Sequence, residues 1–172
     1  MKKINILSLF LLFFLNSCIK ESSQQVEFIV ENKSDYIIML DVPNFYSGHI
    51  MGYNLQDTIF TINSNTSISY NHQSGFGQAS HEPFDKAQNI IIYFNNTDSI
   101  VYYRDFLRDS LGVIINSSRL VESKYNPLKL ENYSGGQTKK RKNENGLEVY
   151  IYTYIFTNED FEEAVRYNST MK

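Results

Sequence analysis

The sequence predicts a mainly β protein, an antiparallel β-sandwich with a short C-terminal helix. The 172-residue chain contains 13 Tyr and 12 Phe, and aromatic and β-branched side chains fit the half-buried, pleated surface of a sheet. Short apolar runs alternate with Asn-, Ser- and Asp-rich segments, whose side chains bond their own backbone and favour turns. No regular alternation of strand and helix patterns is present, which argues against a parallel α/β sheet.

The first four strands are predicted to form two hairpins. Residues 26–31 and 36–42 are apolar runs separated by four polar residues, and residues 58–62 and 67–71 repeat that arrangement. Short polar turns of this kind join antiparallel neighbours, so each pair is expected to close as a hairpin. The polar, glycine-containing residues 72–88 follow as a long loop.

Further strands and one helix complete the pattern. Residues 89–94 form the clearest buried strand, and an Asn-Asn-Thr-Asp turn leads from it to residues 99–103. The longest predicted strand covers residues 147–156, and the polar residues 134–146 before it are expected to form a hairpin tip. The tetrapeptide TNED then matches a capping box, so residues 161–167 are expected to be helical. These strands predict a sandwich of the immunoglobulin type or similar.

The N-terminus has the pattern of a bacterial secretion signal. Lys2 and Lys3 precede an apolar stretch at residues 4–15. Its length of about 12 residues suits a signal peptide and falls short of the roughly 20 residues that span a bilayer. The stretch leads into Leu15-Asn16-Ser17-Cys18, which contains the single cysteine of the chain and resembles a lipobox, the cleavage motif of bacterial lipoproteins. The alternative is an ordinary signal peptide with an incidental cysteine.

The lipoprotein resemblance implies a division of the chain into three parts. Residues 1–17 would be the signal peptide, residues 18–25 the lipidated Cys18 with a tether, and residues 26–172 a single β-sandwich domain. The polar Lys20-Glu21-Ser22-Ser23 resembles the leaders of surface-exposed Bacteroidota-type lipoproteins. The implied location is the outer membrane of the cell envelope, on its periplasmic or its surface-exposed side. A diacylglyceryl group with an added acyl chain suffices for stable anchoring.

Composition and charge narrow the range of partners. Removal of residues 1–17 would leave 14 basic and 19 acidic residues, a formal net charge of −5, which argues against nucleic acid as a partner. The remaining body would contain no thiol for a disulfide, a Cys-ligated zinc or a nucleophile. The basic run Lys139-Lys140-Arg141-Lys142 is interpreted as a solvated loop or, alternatively, as the contact for an anionic partner such as lipopolysaccharide or an acidic glycan.

The sequence contains no recognisable catalytic motif. Its serines lie in neither a Gly-x-Ser-x-Gly nor a Ser-x-x-Lys pattern. The histidines His49, His72 and His81 lack the spacing of a zinc-binding pair, although His72 and His81 with Glu82 leave a loop metal site as an alternative. The acids at the start of the C-terminal helix are interpreted as helix caps. The prediction is a protein that is not an enzyme and uses no cofactor or metal.

The tyrosines of the last strand are the candidate ligand contacts. Tyr150, Tyr152 and Tyr154 share one face of that strand, because side chains alternate between faces. Their aliphatic neighbours are assigned to the core, so the rings can stack against a sugar unless a loop or the terminal helix covers them. The predicted function is a non-catalytic binding or structural accessory role toward an envelope protein or a glycan. The alternative is a surface carbohydrate-binding protein that uses exposed tyrosines.

Overall fold

The structure, a computed structural model, describes residues 24–43, 49–50, 59–73, 80–85, 87–142 and 148–170. The strands within these residues are β1 (Gln25–Asn32), β2 (Ile38–Asp41), β3 (His49–Ile50), β4 (Ile59–Ile62), β5 (Thr66–Gln73), β6 (Asn89–Phe94), β7 (Asp98–Tyr103), β8 (Ser134–Lys142) and β9 (Glu148–Phe156). The helices are α1 (Ser118–Glu122) and α2 (Asn158–Thr170), and a 3₁₀ turn covers Leu130–Asn132. Cys18 and its neighbours lie outside the described residues.

The strands form two packed sheets, one with the order β3-β5-β1-β9-β8 and one with the order β4-β2-β6-β7. Strands β1 and β9 pair in parallel, whereas the other pairs between these strands are antiparallel. The predicted fold class, a mainly antiparallel β-sandwich with a C-terminal helix, is confirmed. The parallel pair is a feature that the sequence pattern did not predict.

The core lies between the sheets and follows the two-residue period of a strand. In β1 the side chains of Val26, Phe28 and Val30 are fully buried, whereas the alternate residues are partly exposed. In β6 the side chains of Ile90 and Ile92 are buried in the same alternation. Each aliphatic or aromatic side chain buried in this way contributes roughly 1.5–3 kcal/mol of transfer free energy, so these inward rows drive the packing of the two sheets.

The two hairpins predicted for the first four strands are wrong, because each polar turn carries the chain from one sheet to the other. Strand β1 pairs with β5 and β9, whereas β2 pairs with β4 and β6. The side chain of Asn32 explains the crossing. Its buried amide donates to the carbonyls of Tyr36 (2.7 Å) and Ile62 (2.9 Å), and its Oδ1 accepts from the Ser34 N–H (3.0 Å). The predicted hairpin of β6 and β7 is confirmed.

The glycines after Tyr133 lie in a strand, so the hairpin tip predicted for these residues is wrong. Residues 134–142 form β8, which pairs with β9 and shifts register between Gly136 and Lys140; residues 143–147 lie outside the described chain. Gly136 has φ +72°, and a Cβ atom there would lie 2.5 Å from Cε1 of Tyr152. Glycine therefore allows both the irregular backbone and the close approach of the tyrosine ring.

Helix α2 has the predicted capping box, but at Asn158–Thr170 it is longer at both ends than the predicted residues 161–167. Asp160 Oδ2 accepts hydrogen bonds from the backbone N–H (2.8 Å) and the hydroxyl (3.0 Å) of Thr157, which is the carboxylate half of the predicted capping box. Near its end, the Asn168 amide donates to the Ser99 carbonyl of β7 (3.1 Å). Because β7 is an edge strand, this contact covers backbone that could otherwise pair with another chain.

Candidate functional site

Hydrogen bonds and strand register define the two ends of the sandwich. At one end, Asn32 closes β1 and its amide bonds Ile62 at the end of β4. Strands β2, β4 and β6 meet there, since Ile38 lies opposite both Ile62 and Phe94. Strand β7 starts at Asp98, opposite Phe94, and therefore runs away from this end. The start of β1 and the end of β7 lie at the other end, which we call the N-terminal end.

Arg104, the residue after β7, organises the N-terminal end. Its Nε donates to the Ala87 carbonyl (2.8 Å), and its Nη2 donates to the carbonyls of Pro83 (2.7 Å) and Phe84 (3.0 Å). Its Nη1 lies 3.2 Å from Glu82 Oε2, and the arginine side chain is only 14% exposed. The planar guanidinium, with five N–H donors, thus satisfies three carbonyls of an irregular segment at once. This arrangement holds Phe84 in the core.

The predicted tyrosine face points inward, so its assignment as the exposed face is wrong for Tyr154. The parallel register places Phe28 beside Tyr152 and Val30 beside Tyr154, and the inward row of β1 therefore continues into the tyrosines. Tyr154 is 3% exposed, and its hydroxyl lies 2.8 Å from the Tyr125 carbonyl. Burial raises the pKa of Tyr154 well above its usual value. A tyrosine is stable in such a core because its hydroxyl finds a polar partner.

Tyr150 and Tyr152 are only partly buried and lie under His81. The Nδ1 atom of His81 is 2.8 Å from the Tyr152 hydroxyl, and its ring centroid is 5.2 Å from that of Tyr150. The Tyr152 ring also stacks on Phe28, with centroids 5.4 Å apart. Burial lowers the pKa of His81 below its usual value, so the ring is neutral at pH 7. Because Phe28 stacks on Tyr152 and His81 contacts both tyrosines, the two rings do not form an open stacking platform.

Of the two described side chains of the basic run, Arg141 forms an ion pair and Lys142 is exposed. Arg141 Nη2 lies 2.6 Å from Glu27 Oε2 on the neighbouring strand β1, whereas the Lys142 side chain is exposed. The side chains of Lys139 and Lys140 lie outside what the structure describes. One cation of the predicted anionic-partner contact is therefore engaged by a carboxylate of the same chain.

The acids of α2 make separate structural contacts and do not converge on one point. Glu163 accepts two hydrogen bonds from Arg119, at 2.7 Å and 3.0 Å, and Glu159 accepts from the Tyr125 hydroxyl at 3.0 Å. Asp160 is held by Thr157, as described above. The hydrogen bonds from Arg119 hold the pKa of Glu163 below its usual value, whereas burial raises the pKa of Asp160. These contacts attach α2 to α1 and to the segment after α1 that contains Tyr125.

We expect Glu163→Gln to lower the free energy of unfolding by about 1–2 kcal/mol at pH 7. Because the folded-state pKa of Glu163 is lowered, its ion pair stabilises the protein above the unfolded pKa and loses that effect as the pH falls through the folded value. The difference between the variant and the wild type should therefore shrink toward pH 3. Urea unfolding at several pH values measures it, with the exposed Glu162→Gln as control. A difference that is constant with pH would contradict the assignment.

The loop metal site considered for His72, His81 and Glu82 has no support among the described side chains. His81 is engaged with Tyr152 and Glu82 lies against Arg104. Within the described ranges, no three His, Cys, Asp or Glu side chains are grouped closely enough to hold a metal ion.

A groove that sequence reasoning missed opens beside the outer face of β7. Its volume is about 400 Å³, within the range of ordinary ligand pockets. The guanidinium carbon of Arg119 lies 5.7 Å from the Tyr167 ring centroid inside it. The lining residues come from β7, α1 and its preceding turn, and α2: Val101, Tyr103, Ile115, Asn116, Ser117, Arg119, Leu120, Tyr167 and Thr170. No single motif could have indicated a groove assembled from three distant segments.

The groove combines apolar surface, aromatic rings, hydroxyls, an amide and a guanidinium. Among the described helices, none is both long and apolar enough to cross a bilayer. Comparison with known protein families and with curated proteins finds no match to this chain.

Proposed function

We propose that this protein is a lipid-anchored cell-envelope protein with a non-catalytic binding or structural accessory role. The observation that carries the proposal is the sequence Leu15-Asn16-Ser17-Cys18 at the end of an apolar stretch. A thiol is the side chain suited to thioether formation, and two or more acyl chains give stable membrane attachment. The anchor would lie in the outer membrane, reached through the tether that precedes β1.

The contacts of the polar side chains support a non-catalytic role. Two neighbouring acids of α2 that could have formed a hydrolytic pair accept hydrogen bonds from the same chain. Glu163 accepts from Arg119, and Asp160 accepts from Thr157. A retaining or inverting glycosidase needs two carboxyl groups facing one substrate bond. The acids of α2 instead stabilise the attachment of that helix to the sandwich.

The anchor is tested by metabolic labelling with a clickable palmitate analogue in a Gram-negative host. The wild-type protein is expected to incorporate the label, and Cys18→Ala is expected to lose it, because the sulfur is the acceptor of the diacylglyceryl group. Ser17→Ala is the matched control, since a small residue before the cysteine is retained and labelling should persist. Equal labelling of the wild type and Cys18→Ala, or none in either, would contradict lipidation at Cys18.

Carbohydrate binding is the second candidate function. The groove beside β7 is a better candidate site for a sugar than the face of β9 that carries Tyr150, Tyr152 and Tyr154. Tyr167 offers an aromatic ring with Arg119 over one face. Arg119 has further N–H groups beside the two that bond Glu163, and Asn116 has a second amide N–H beside the one that bonds Asp105. An apolar plane with a polar rim is the arrangement that binds sugar rings. The predicted anionic-partner contact, which includes Lys142, lies on β8 and therefore on a different strand from the groove beside β7.

For the carbohydrate proposal, we expect Tyr167→Ala to weaken binding to purified lipopolysaccharide-derived polysaccharide by about tenfold or more. Calorimetric titration of the full-length protein measures this. Glu162→Ala, an exposed change on the same helix, should bind as the wild type does, and circular dichroism checks that both variants fold. Binding that is unchanged in Tyr167→Ala, or absent from the wild type, would contradict carbohydrate recognition in the groove.

A further inference from the structure

Residues 105–116, which follow Arg104, form an exposed hairpin with an apolar surface. Its two sides are joined by hydrogen bonds from the Asp109 N–H to the Val113 carbonyl and from the Ile115 N–H to the Leu107 carbonyl, both 2.9 Å. The large apolar side chains are nevertheless turned to solvent: Leu107 is 39% exposed, Leu111 85%, Val113 57%, Ile114 45% and Ile115 63%. Five exposed large apolar side chains within residues 107–115 are more than the singly scattered ones that need no explanation, and they point to an interaction site.

The hairpin is held in shape by its own polar residues. Asp109 Oδ1 accepts from the N–H groups of Leu111 and Val113, both at 2.9 Å. At the base, Asn116 accepts from the Leu107 N–H (2.8 Å) and donates to the Asp105 carbonyl (3.2 Å). These bonds fix the backbone and therefore keep the apolar side chains outward. Because these hydrogen bonds lie within the hairpin, the exposed apolar surface forms without a partner.

The position of the hairpin relates it to the anchor. Its base adjoins the end of β7, which lies at the N-terminal end of the sandwich, where β1 begins at Gln25. Six residues lie between Cys18 and Gln25, so the seven Cα–Cα steps of a fully extended chain reach about 25 Å at most. A protein anchored at Cys18 would therefore keep this end of the sandwich, with the hairpin, close to the bilayer.

We infer that the hairpin is a second membrane contact, in which Leu111, Val113 and Ile115 enter the interface of the bilayer that holds the lipid anchor. This inference rests on the proposed anchoring through Cys18. Aliphatic side chains suit the boundary between headgroups and acyl chains. The hairpin carries few charges, Asp105, Arg108 and Asp109, and Arg108 and Asp109 form hydrogen bonds with backbone groups of the hairpin itself. The contact would fix the orientation of the sandwich above the membrane.

The test uses the full chain, because acylation of Cys18 leaves a newly introduced cysteine as the single reactive thiol. Leu111→Cys places a thiol on the hairpin, and Asn63→Cys places one at the opposite end, in the exposed turn after β4. Each variant is extracted from host membranes, labelled with a thiol-reactive nitrobenzoxadiazole dye and reconstituted into phosphatidylethanolamine–phosphatidylglycerol vesicles. Lipids that carry a spin label near the headgroup then quench any dye that lies in the interface.

We expect the dye at position 111 to be quenched at least about threefold more strongly than the dye at position 63. Equal, weak quenching at both positions in protein that floats with the vesicles would overturn the hairpin contact and leave the anchor intact. A dye at position 111 that is shielded only as protein concentration rises would indicate self-association and overturn it too. Wild-type protein that accepts the dye at Cys18 and does not float would overturn the anchor, and the hairpin inference with it.

Discussion

Replacing Arg104 by methionine is expected to lower the free energy of unfolding by about 3–4 kcal/mol. The guanidinium donates to the carbonyls of Pro83, Phe84 and Ala87 at 2.7–3.0 Å. Methionine fills similar space and leaves the Pro83 and Ala87 carbonyls without the guanidinium, whereas the Phe84 carbonyl still accepts from the Ala87 N–H (2.9 Å). Each buried polar group left unsatisfied costs about 1–3 kcal/mol. Urea unfolding followed by circular dichroism gives the free energy of unfolding.

Two variants separate the donor geometry of Arg104 from its charge. Arg104→Lys keeps the charge but cannot reproduce the planar fork of donors, so an intermediate loss of stability is expected. Arg108→Met removes an exposed arginine whose hydrogen bond is to the Gly112 carbonyl (2.8 Å), and its effect should stay below about 1 kcal/mol. If Arg104→Met cost no more than Arg108→Met, the role of Arg104 at the N-terminal end would be wrong.

Gly136→Ala is expected to lower the free energy of unfolding by about 2–4 kcal/mol. The left-handed backbone conformation, with φ +72°, is unfavourable for alanine, and the added Cβ would lie 2.5 Å from the Tyr152 ring. Because that ring is stacked on Phe28 and bonded to His81, it cannot move without disturbing the core. Chemical unfolding of the two proteins measures the difference.

Gly112→Ala is the matched control for the glycine prediction. Gly112 has φ +81°, and a Cβ there would meet no atom within 4 Å, so that variant carries the conformational cost of about 1–2 kcal/mol alone. A double-mutant cycle with Tyr152→Leu isolates the contact with the ring, since removal of the ring should reduce the cost of Gly136→Ala. Equal costs for the two glycine changes would contradict the close approach to Tyr152.

Most strands were predictable from sequence, whereas their partners, apart from the β6–β7 pair, were not. Alternating and apolar runs located β1, β6 and β9 because burial on a sheet imposes a two-residue period. The turn after Asn32 gave no comparable information, since the same polar residues suit a hairpin or a crossing between sheets. A buried amide that joins Tyr36 and Ile62 decides between the two, and that contact depends on residues far apart in the chain.

The sequence pattern could not predict the orientation of β9 or the groove either, because both depend on contacts between residues far apart in the chain. Alternation divides β9 into two faces, but tyrosines and aliphatic residues can each fill a core. The register with β1 sets Phe28 beside Tyr152 and so turns the tyrosines inward. The exposed hairpin was equally hidden, because the apolar residues 113–115 carry no sequence signal that distinguishes a solvent-exposed turn from a short strand of the sheets; in the structure their side chains are exposed.

The most direct test of the central proposal is the mass of the mature protein, determined by intact and N-terminal peptide mass spectrometry after extraction from envelope membranes. We predict a chain that begins at Cys18, has lost residues 1–17, and carries the added mass of a diacylglyceryl group with or without an amide-linked acyl chain. The tryptic N-terminal peptide should place that mass on Cys18. A chain that retains residues 1–17, or begins at another residue with an unmodified thiol at Cys18, would contradict the lipid anchor.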